Sequence, residues 1–479
     1  MEVNKLIEQI DYIDIKGVLP DEITDVTNNS KEVVEGSLFI YEKESKKYLV
    51  EAQKKGCKIV VSQELVEIDL CVIIVKDVKV AMAQIAKAFW GNPQEDLRIV
   101  GVVGTNGKTT ICHVLCNLLL EGGFEVGVTG TIGTFYKGKT FPSKLTTPSC
   151  LDLYKLINEM VKNGVEILVM EVSAHAIEQR RCEGIYFHSL IFTNCTEDHL
   201  DYFENFENYR NTKKSIFDGK NCRYMIVNSD DSLGREILKC AKGKVISYGI
   251  DNPADVFAIN VEERQDGIEY VINLFDVIYE IKSNLYGKVN VYNTLACCAV
   301  SATFGVKTYV LAKALGKIKP IEGRAQPIAT IKGCTVFIDY AHTPDGLYQT
   351  LNSMKNICSR KLFCVFGCGG NREKQKRPIM GKIAGQIADF TVVTSDNPRY
   401  EDECDIIRQI ENGIKQVTYN YITIKDRKSA IKYALDKVGK GDVLVIAGKG
   451  AEEYQEILGE RRIFSDKKEV LEYLSLMEA

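Results

Sequence analysis

A chain of 479 residues is longer than one hydrophobic core organises, and its length predicts roughly three domains. Hydrophobic residues at 45% and charged residues at 26% are the proportions of a soluble globular protein. A net charge of -4 gives neither nucleic acid nor an anionic membrane surface a reason to bind. The 16 cysteines are scattered, many within apolar runs and none in a C-x-x-C pair, which predicts free thiols in a reducing cytoplasm. Met1-Glu2-Val3-Asn4-Lys5 lacks the apolar stretch of a signal peptide, and no run approaches the ~20 apolar residues of a membrane helix.

The first predicted unit covers residues 1–92. Residues 37–41, 58–61 and 71–75 read as strands, and 48–55 as a helix ended by Gly56. A second helix over 80–89 runs out at Gly91-Asn92-Pro93, a breaker cluster that marks a boundary.

The second unit, 93–318, begins with an apolar strand over 99–103 and a helix over 111–120 stopped by Gly122-Gly123. Between them lies Gly104-Thr105-Asn106-Gly107-Lys108-Thr109-Thr110. Strand, glycine loop and helix form the context of a phosphate-binding loop. Backbone N–H groups close around the phosphates and the helix N-terminus adds a positive dipole end. Lys108 would reach the terminal phosphates and the Thr109 hydroxyl would ligate Mg²⁺. The strict G-x-x-x-x-G-K-[ST] pattern is not met, because Val102 stands where its first glycine belongs. The alternative is an ordinary glycine-rich turn. Strands over 166–170 and 189–194 lead to Glu171 and His199. In an open parallel sheet both fall at the ligand-binding edge beside the loop, where metal ligation is the expectation. A buried structural glutamate and a capping histidine are the plainer readings.

The third unit, 319–479, alternates strands over 335–338, 362–366, 390–393 and 443–446 with helical segments, the pattern of a doubly wound, Rossmann-like α/β domain. The strands end in Asp339-Tyr340-Ala341-His342, Gly367-Cys368-Gly369-Gly370-Asn371-Arg372, Asp396-Asn397-Pro398-Arg399 and Gly448-Lys449-Gly450-Ala451-Glu452. Four polar, glycine-rich strand ends on one edge predict a binding face.

These motifs, in this order, resemble the Mur ligases, ATP-dependent amide-forming enzymes of peptidoglycan precursor synthesis. The likeness runs along the whole chain through Gly104 to Thr110, Glu171 with Ser173 and His175, Asp198-His199, Asn290 with Asn293, Gly323-Arg324 and Asp339 to His342. Thr146-Thr147-Pro148, Gln179-Arg180-Arg181, Gly367 to Arg372 and Asp396 to Arg399 are similar to the branch that adds the third residue to UDP-N-acetylmuramoyl-L-alanyl-D-glutamate. The last block has the form of enzymes that add meso-diaminopimelate rather than L-lysine.

The resemblance implies three α/β domains, ATP and two Mg²⁺ ions, an acyl-phosphate intermediate, small-molecule substrates only, and a cytoplasmic monomer. It assigns ATP to Gly104 through Thr110 with Asn290, Asn293, Arg324 and Asp339. It gives the metals to Thr109, Glu171, His199 and a carbamoylated Lys213, which together with Lys108 carry catalysis. From sequence alone Lys213 reads as a solvated surface lysine. The resemblance further implies that the UDP-linked dipeptide meets Ser30, Thr146, Thr147, Ser173, Gln179 and Arg181, and the amino acid meets Arg372, Asp396, Asn397, Arg399, Gly448 and Glu452. For Arg399, a surface ion pair with Glu401 or Asp402 is the plainer alternative. Asn29-Ser30-Lys31 stands where this branch usually carries Asp-Ser-Arg, Glu197 where it has Arg, and Ala451 where it has His. These departures keep two other readings open, a paralogue joining L-lysine or another amino acid, and a nucleotide-binding relative without turnover.

Overall fold

Parallel pairing aligns three apolar strands at the centre of the molecule and so decides where its chemistry sits. A computed structural model describes residues 1–42 and 45–478. The phosphate-loop strand Arg98–Val103 lies between Phe187–Phe192 and Ile167–Val172, and all three run parallel. Val103, Val172 and Phe192 occupy one register row, so the residues that follow emerge side by side. Ile167–Val172 continues past the predicted end, which leaves Glu171 within the strand, 1% exposed.

The central sheet has eleven strands. Beyond Phe187–Phe192 it continues through Cys222–Asn228 and Lys244–Gly249 to Val256–Arg264, Gly267–Leu274 and Val277–Ser283, the last two joined antiparallel. These outer strands were not legible in the sequence. They carry charged residues on one face and apolar ones on the other, with no continuous hydrophobic run. The helix Lys288–Thr303 covers the inner face with Val291, Leu295 and Cys298.

Six strands form the C-terminal sheet, in the order Gln326–Ile331, Cys334–Asp339, Val443–Ala447, Leu362–Phe366, Phe390–Val393 and Tyr421–Thr423. All but the first pairing are parallel, and separate apolar clusters cover the two faces, as a doubly wound sheet requires. The four polar strand ends anticipated above therefore stand next to one another.

The N-terminal unit is a five-stranded sheet with one antiparallel edge pairing. Its helix Val78–Trp90 starts at Asp77, whose carboxylate accepts from the amides of Lys79 and Val80. The helix stops at Gly91, φ 76°, a left-handed conformation that disfavours a side chain. Ile85 and Ala86 of this helix belong to the same apolar core as Tyr154 and Ile157 of the central helix Cys150–Lys162. All 16 cysteines are free. Among the described residues no helix is long and apolar enough to cross a membrane.

Two fully buried charges pin the C-terminal helix Asp466–Glu478 to the sheet. Arg427 grips Asp466 through two hydrogen bonds of 2.7 Å and also donates to the carbonyls of Ala447, at 2.9 Å, and Ser395. Removing one partner strands the other charge in an apolar environment. Asp466→Ala is expected to cost about 3–5 kcal/mol, read as a lower urea midpoint for the C-terminal domain.

Candidate active site

The loop Gly104 to Thr110 wraps the start of the helix Lys108–Glu121. Gly107, at φ 89°, adopts a conformation that a side chain disfavours, and a Cβ there would lie 2.6 Å from Asn293 Oδ1. The Asn106 amide donates to Asn194 Oδ1 at 2.9 Å, while Thr193 Oγ1 donates to the Asn106 carbonyl at 2.7 Å. Lys108 Nζ donates to the carbonyls of Gly104 at 2.9 Å and Thr105 at 2.8 Å, which holds the ammonium over the loop.

Thr109 and Glu171 face each other at 2.9 Å, the hydroxyl donating to Oε1. Glu171 also accepts from the Thr131 amide at 2.8 Å and the Thr131 hydroxyl at 3.1 Å, so its carboxylate is fixed in orientation. Arg324 of the C-terminal domain donates to Thr109 Oγ1 at 3.0 Å and stacks over Tyr340. Among the described residues no cluster of three or more His, Cys, Asp and Glu forms a protein cage for a metal. One hydroxyl and one carboxylate beside a phosphate loop nevertheless suit Mg²⁺, which keeps waters and takes substrate phosphates as ligands.

Asp198 and His199 stand across the cleft from Glu373 and Lys376. Burial opposes ionisation of Asp198, but the charges of His199, His342, Lys376 and Lys108 hold its carboxyl down at about 2. Burial pulls His199 down to about 4, so its ring is neutral with a lone pair available at neutral pH. Lys213 is 0% exposed. Its Nζ donates to Thr105 Oγ1 at 2.6 Å and lies 3.9 Å over the Tyr209 ring, and among the described residues no carboxylate pairs with it. Burial lowers it to about 7. Lys214, by contrast, faces solvent and pairs with Glu236.

The Arg399 guanidinium donates to the Gly370 carbonyl at 2.8 Å and lies 3.5 Å from Glu456. The pairings with Glu401 or Asp402 do not form: Glu401 pairs with the buried Arg377, and Asp402 caps the helix Glu403–Ile414. Asn397 donates to Glu452 at 2.9 Å, and the fully buried Lys449 bridges Asn397 Oδ1 and Glu452. A Cβ on Gly448 would meet Asp396 Oδ2 at 2.6 Å, so the Asp396 carboxylate lies close over this backbone only because Gly448 has no side chain. Burial raises the Glu452 carboxyl, with Lys449 drawing it partly back.

One cleft of about 290 Å³ gathers groups from both domains, with Thr146 and Ser173 on the same wall as Lys108, and Arg372, Arg399 and Glu452 opposite, while the buried Lys213 and Lys449 lie outside its lining. A second cavity of about 440 Å³ adjoins it and holds Asn290, Asn293 and Asp339. Asn293 donates to Asn290 Oδ1 at 2.9 Å, the one-face pairing their spacing requires. The Asp339 carboxylate is engaged by the Ala325 and Ala341 amides and the Thr350 hydroxyl, so it shapes the turn that carries Arg324. Thr147 is buried, with its hydroxyl donating to the Glu171 carbonyl at 2.9 Å. Arg181 donates to the Thr147 carbonyl and, like Gln179, lies outside the lining of the cleft. Ser30 lies in the N-terminal domain and donates to Glu51 at 2.7 Å, also apart from the cleft.

Residues 102–301 match the family described as Mur ligase middle domain, and residues 323–450 match Mur ligase, glutamate ligase domain. Over 464 residues, 96% of both chains, the protein is 38% identical to the UDP-N-acetylmuramoyl-L-alanyl-D-glutamate--2,6-diaminopimelate ligase of Caldanaerobacter subterraneus subsp. tengcongensis. The chain belongs to the Mur ligase family. The ligase of the same name from Clostridioides difficile is 37% identical, with 100% of both chains covered. A solved structure of a ligase of that name matches with a TM-score of 0.71 and 30% identity over 98% of each chain. The fold is also that of the MurF ligase from Thermotoga maritima in complex with ADP, at TM-score 0.63, 21% identity, and coverage of 95% of this chain and 98% of that one.

Several residues in this Mur ligase escape sequence reasoning because their role is to position others. Thr131 orients Glu171 from a loop without a motif. Asp345 accepts from Asn106 Nδ2 at 2.8 Å and ties the C-terminal domain to the phosphate loop. Glu456 comes from the hairpin Tyr454–Ile457 and Glu460–Ile463, whose polar strands carry no hydrophobic signal. Lys108→Ala is expected to lower ADP formation at least about 10²-fold, roughly 3 kcal/mol, with an unchanged circular dichroism spectrum. Near-parental turnover in a folded variant would remove Lys108 from the reaction.

Proposed function

We propose that this chain couples ATP cleavage to amide formation between UDP-N-acetylmuramoyl-L-alanyl-D-glutamate and meso-2,6-diaminopimelate, as a monomer in the cytoplasm. The observation that carries the reading is the single cleft with Lys108, Thr109 and Glu171 on one wall and Arg372, Arg399 and Glu452 on the other. Full-length relatives at 35–38% identity that bear this activity in their names support the substrate choice.

A carboxylate resists attack by an amine, so it must first be activated. A carboxylate oxygen attacks the γ-phosphorus, the bond to the β-phosphate oxygen breaks, and ADP leaves an acyl phosphate. The amine then bonds to the acyl carbon, phosphate departs, and the nitrogen loses a proton to solvent. Negative charge gathers in both steps, and Lys108 and Arg324 meet it from opposite domains. Thr109 and Glu171 would hold one Mg²⁺, and Glu171 and His199 with a carbamate on Lys213 a second. Bound there, the ions neutralise phosphate charge. Asn290 and Asn293, with Asp339 behind the Arg324 turn, would receive the nucleoside. Ser30 with Thr146, Thr147, Ser173, Gln179 and Arg181 would hold the UDP-linked acceptor.

Lys213 has the properties that carbamate formation needs. With its amine lowered to about 7, a large fraction is neutral at cytoplasmic pH, and the neutral nitrogen is the form that attacks CO₂. The product is an anion beside Thr105, formed with loss of one proton. Lys213→Ala is expected to lose most activity and to recover part of it in millimolar formate, acetate or bicarbonate, while Lys214→Ala stays near parental. A fully active enzyme with unmodified Lys213 by intact mass would overturn the assignment.

The amino-acid choice rests on cations. Meso-diaminopimelate carries one more carboxylate than lysine, and Arg399, lodged at φ 53° against Gly370 and Glu456, can grip it through two parallel hydrogen bonds. Arg372 would take the other carboxylate, and Glu452 the distal ammonium, with Asn397, Asp396 and Gly448 shaping the floor. Arg399→Ala is expected to lose about 2–4 kcal/mol of discrimination in kcat/KM between meso-diaminopimelate and L-lysine, with ATP affinity retained. A parent enzyme that uses L-lysine equally well in an amino-acid panel would transfer the assignment to a lysine-adding paralogue. No phosphate release with any amino acid would favour a non-catalytic relative.

A further inference from the structure

Among the described residues two lysines are 0% exposed, Lys213 and Lys449, and the second has no part in the reaction as described. Lys449 follows the strand Val443–Ala447, in the turn Gly448-Lys449-Gly450. Neighbours press on both flanking glycines. The Asp396 carboxylate lies over Gly448, and a Cβ on Gly450 would be 2.8 Å from the Gly323 carbonyl oxygen and from Tyr340 Cβ. The turn is wedged in place, and the Lys449 side chain stays buried, outside the lining of the cleft.

Its ammonium donates to Asn397 Oδ1 at 3.0 Å and to Glu452 Oε2 at 3.2 Å, and both partners line the cleft. This separates Lys449 from Arg427, whose carboxylate partner Asp466 is fully buried and away from the cleft. The pairing decides two orientations. The Glu456 amide also meets Asn397 Oδ1, at 2.9 Å, and like the ammonium it offers only hydrogens. The carboxamide must therefore turn its oxygen to these two donors and its Nδ2 to Glu452 Oε2, 2.9 Å away. Oε2 is held by two donors, while Oε1 accepts from none of the described residues and stays available to a ligand. An apolar side chain at position 449 would leave the carboxamide one donor fewer and Glu452 without its ion pair.

We propose that Lys449 is a positioning residue for amino-acid selection. By fixing the Asn397 carboxamide and engaging one oxygen of Glu452, it leaves the other oxygen to accept from the distal ammonium of the amino acid. The proposal rests on the ligase reading above, in which Glu452 receives that group. Lys449 itself makes no bond to the substrate. A buried ion pair is a poor source of net stability, because both charges are desolvated, and here it supplies geometry instead. Selectivity follows from that geometry. An amino acid without the distal ammonium leaves the prepared oxygen unpaired and is rejected on that account.

The test uses the full-length enzyme with ATP and the muramoyl dipeptide, and compares meso-diaminopimelate with 2-aminopimelate, which keeps both carboxylates and lacks the distal amine. The parent is expected to favour meso-diaminopimelate by at least about 30-fold in kcat/KM. K449M keeps the buried stem and removes the charge. It should bring the ratio within about three-fold by raising the KM for meso-diaminopimelate, with kcat/KM for 2-aminopimelate little changed. E452Q should lower the same ratio, and K449M/E452Q should lose no more than E452Q alone, since both residues act on one contact. Should K449M fail to fold, K449Q carries the comparison, with a ratio expected at roughly a third of the parent's or less. Equal losses on both amino acids, or a ratio at the parent's level, would overturn the proposal. A parent without preference between the two amino acids would instead sink the amino-acid reading. The crystal structure of the variant then decides the positioning alone: Glu452 displaced from Asn397 upholds it, and both side chains in their parental places overturn it.

Discussion

The hydroxyl of Thr109 is the joint on which the cleft depends. It donates to Glu171 and accepts from Arg324, so one oxygen connects a central strand, the phosphate-loop helix and the C-terminal domain. It can do so because parallel register brings the ends of Arg98–Val103 and Ile167–Val172 to the same level. A one-residue slip in that pairing would turn the Glu171 side chain to the opposite face of the sheet. The apolar packing of the strands thus carries the catalytic geometry as well as the stability of the domain.

Charge is distributed unequally between the two walls. The central wall contributes Glu171, Asp198 and Asp201 along with Lys108, whereas the C-terminal wall sets Arg324, Arg372, Lys376 and Arg399 against Glu373, Asp396 and Glu452. Bringing the walls together around a nucleotide and an acyl phosphate offsets like-charge repulsion that either wall would face with its own ligands alone. Burial sharpens the effect by removing water that would otherwise screen it.

The parts of the protein written as continuous apolar runs were legible in its sequence. The strands at 99–103, 362–366 and 390–393 appear within a residue of where hydrophobicity places them, and the polar motifs after them share one edge. The outer strands of the central sheet and the hairpin bearing Glu456 were not legible, since a half-exposed strand shows only alternation and a solvent-facing hairpin shows none. Glu171, Lys108 and His199 stood out by motif. Lys213 owed its place to a family resemblance, because nothing in the local sequence announces that a helix of low hydrophobicity will bury that lysine and expose its neighbour. Thr131 carries no such signal, as its importance lies in what faces it across space.

The apolar core shared by the helices Val78–Trp90 and Cys150–Lys162 has an optical consequence. Trp90 is the only tryptophan in the chain, and it sits at the end of the first of these helices, edge-on to Phe89 and packed against that common core. Indole emission from this protein therefore originates at the seam between the N-terminal and central domains. It reports loosening of that seam, without any label, and does so separately from a rotation of the C-terminal domain.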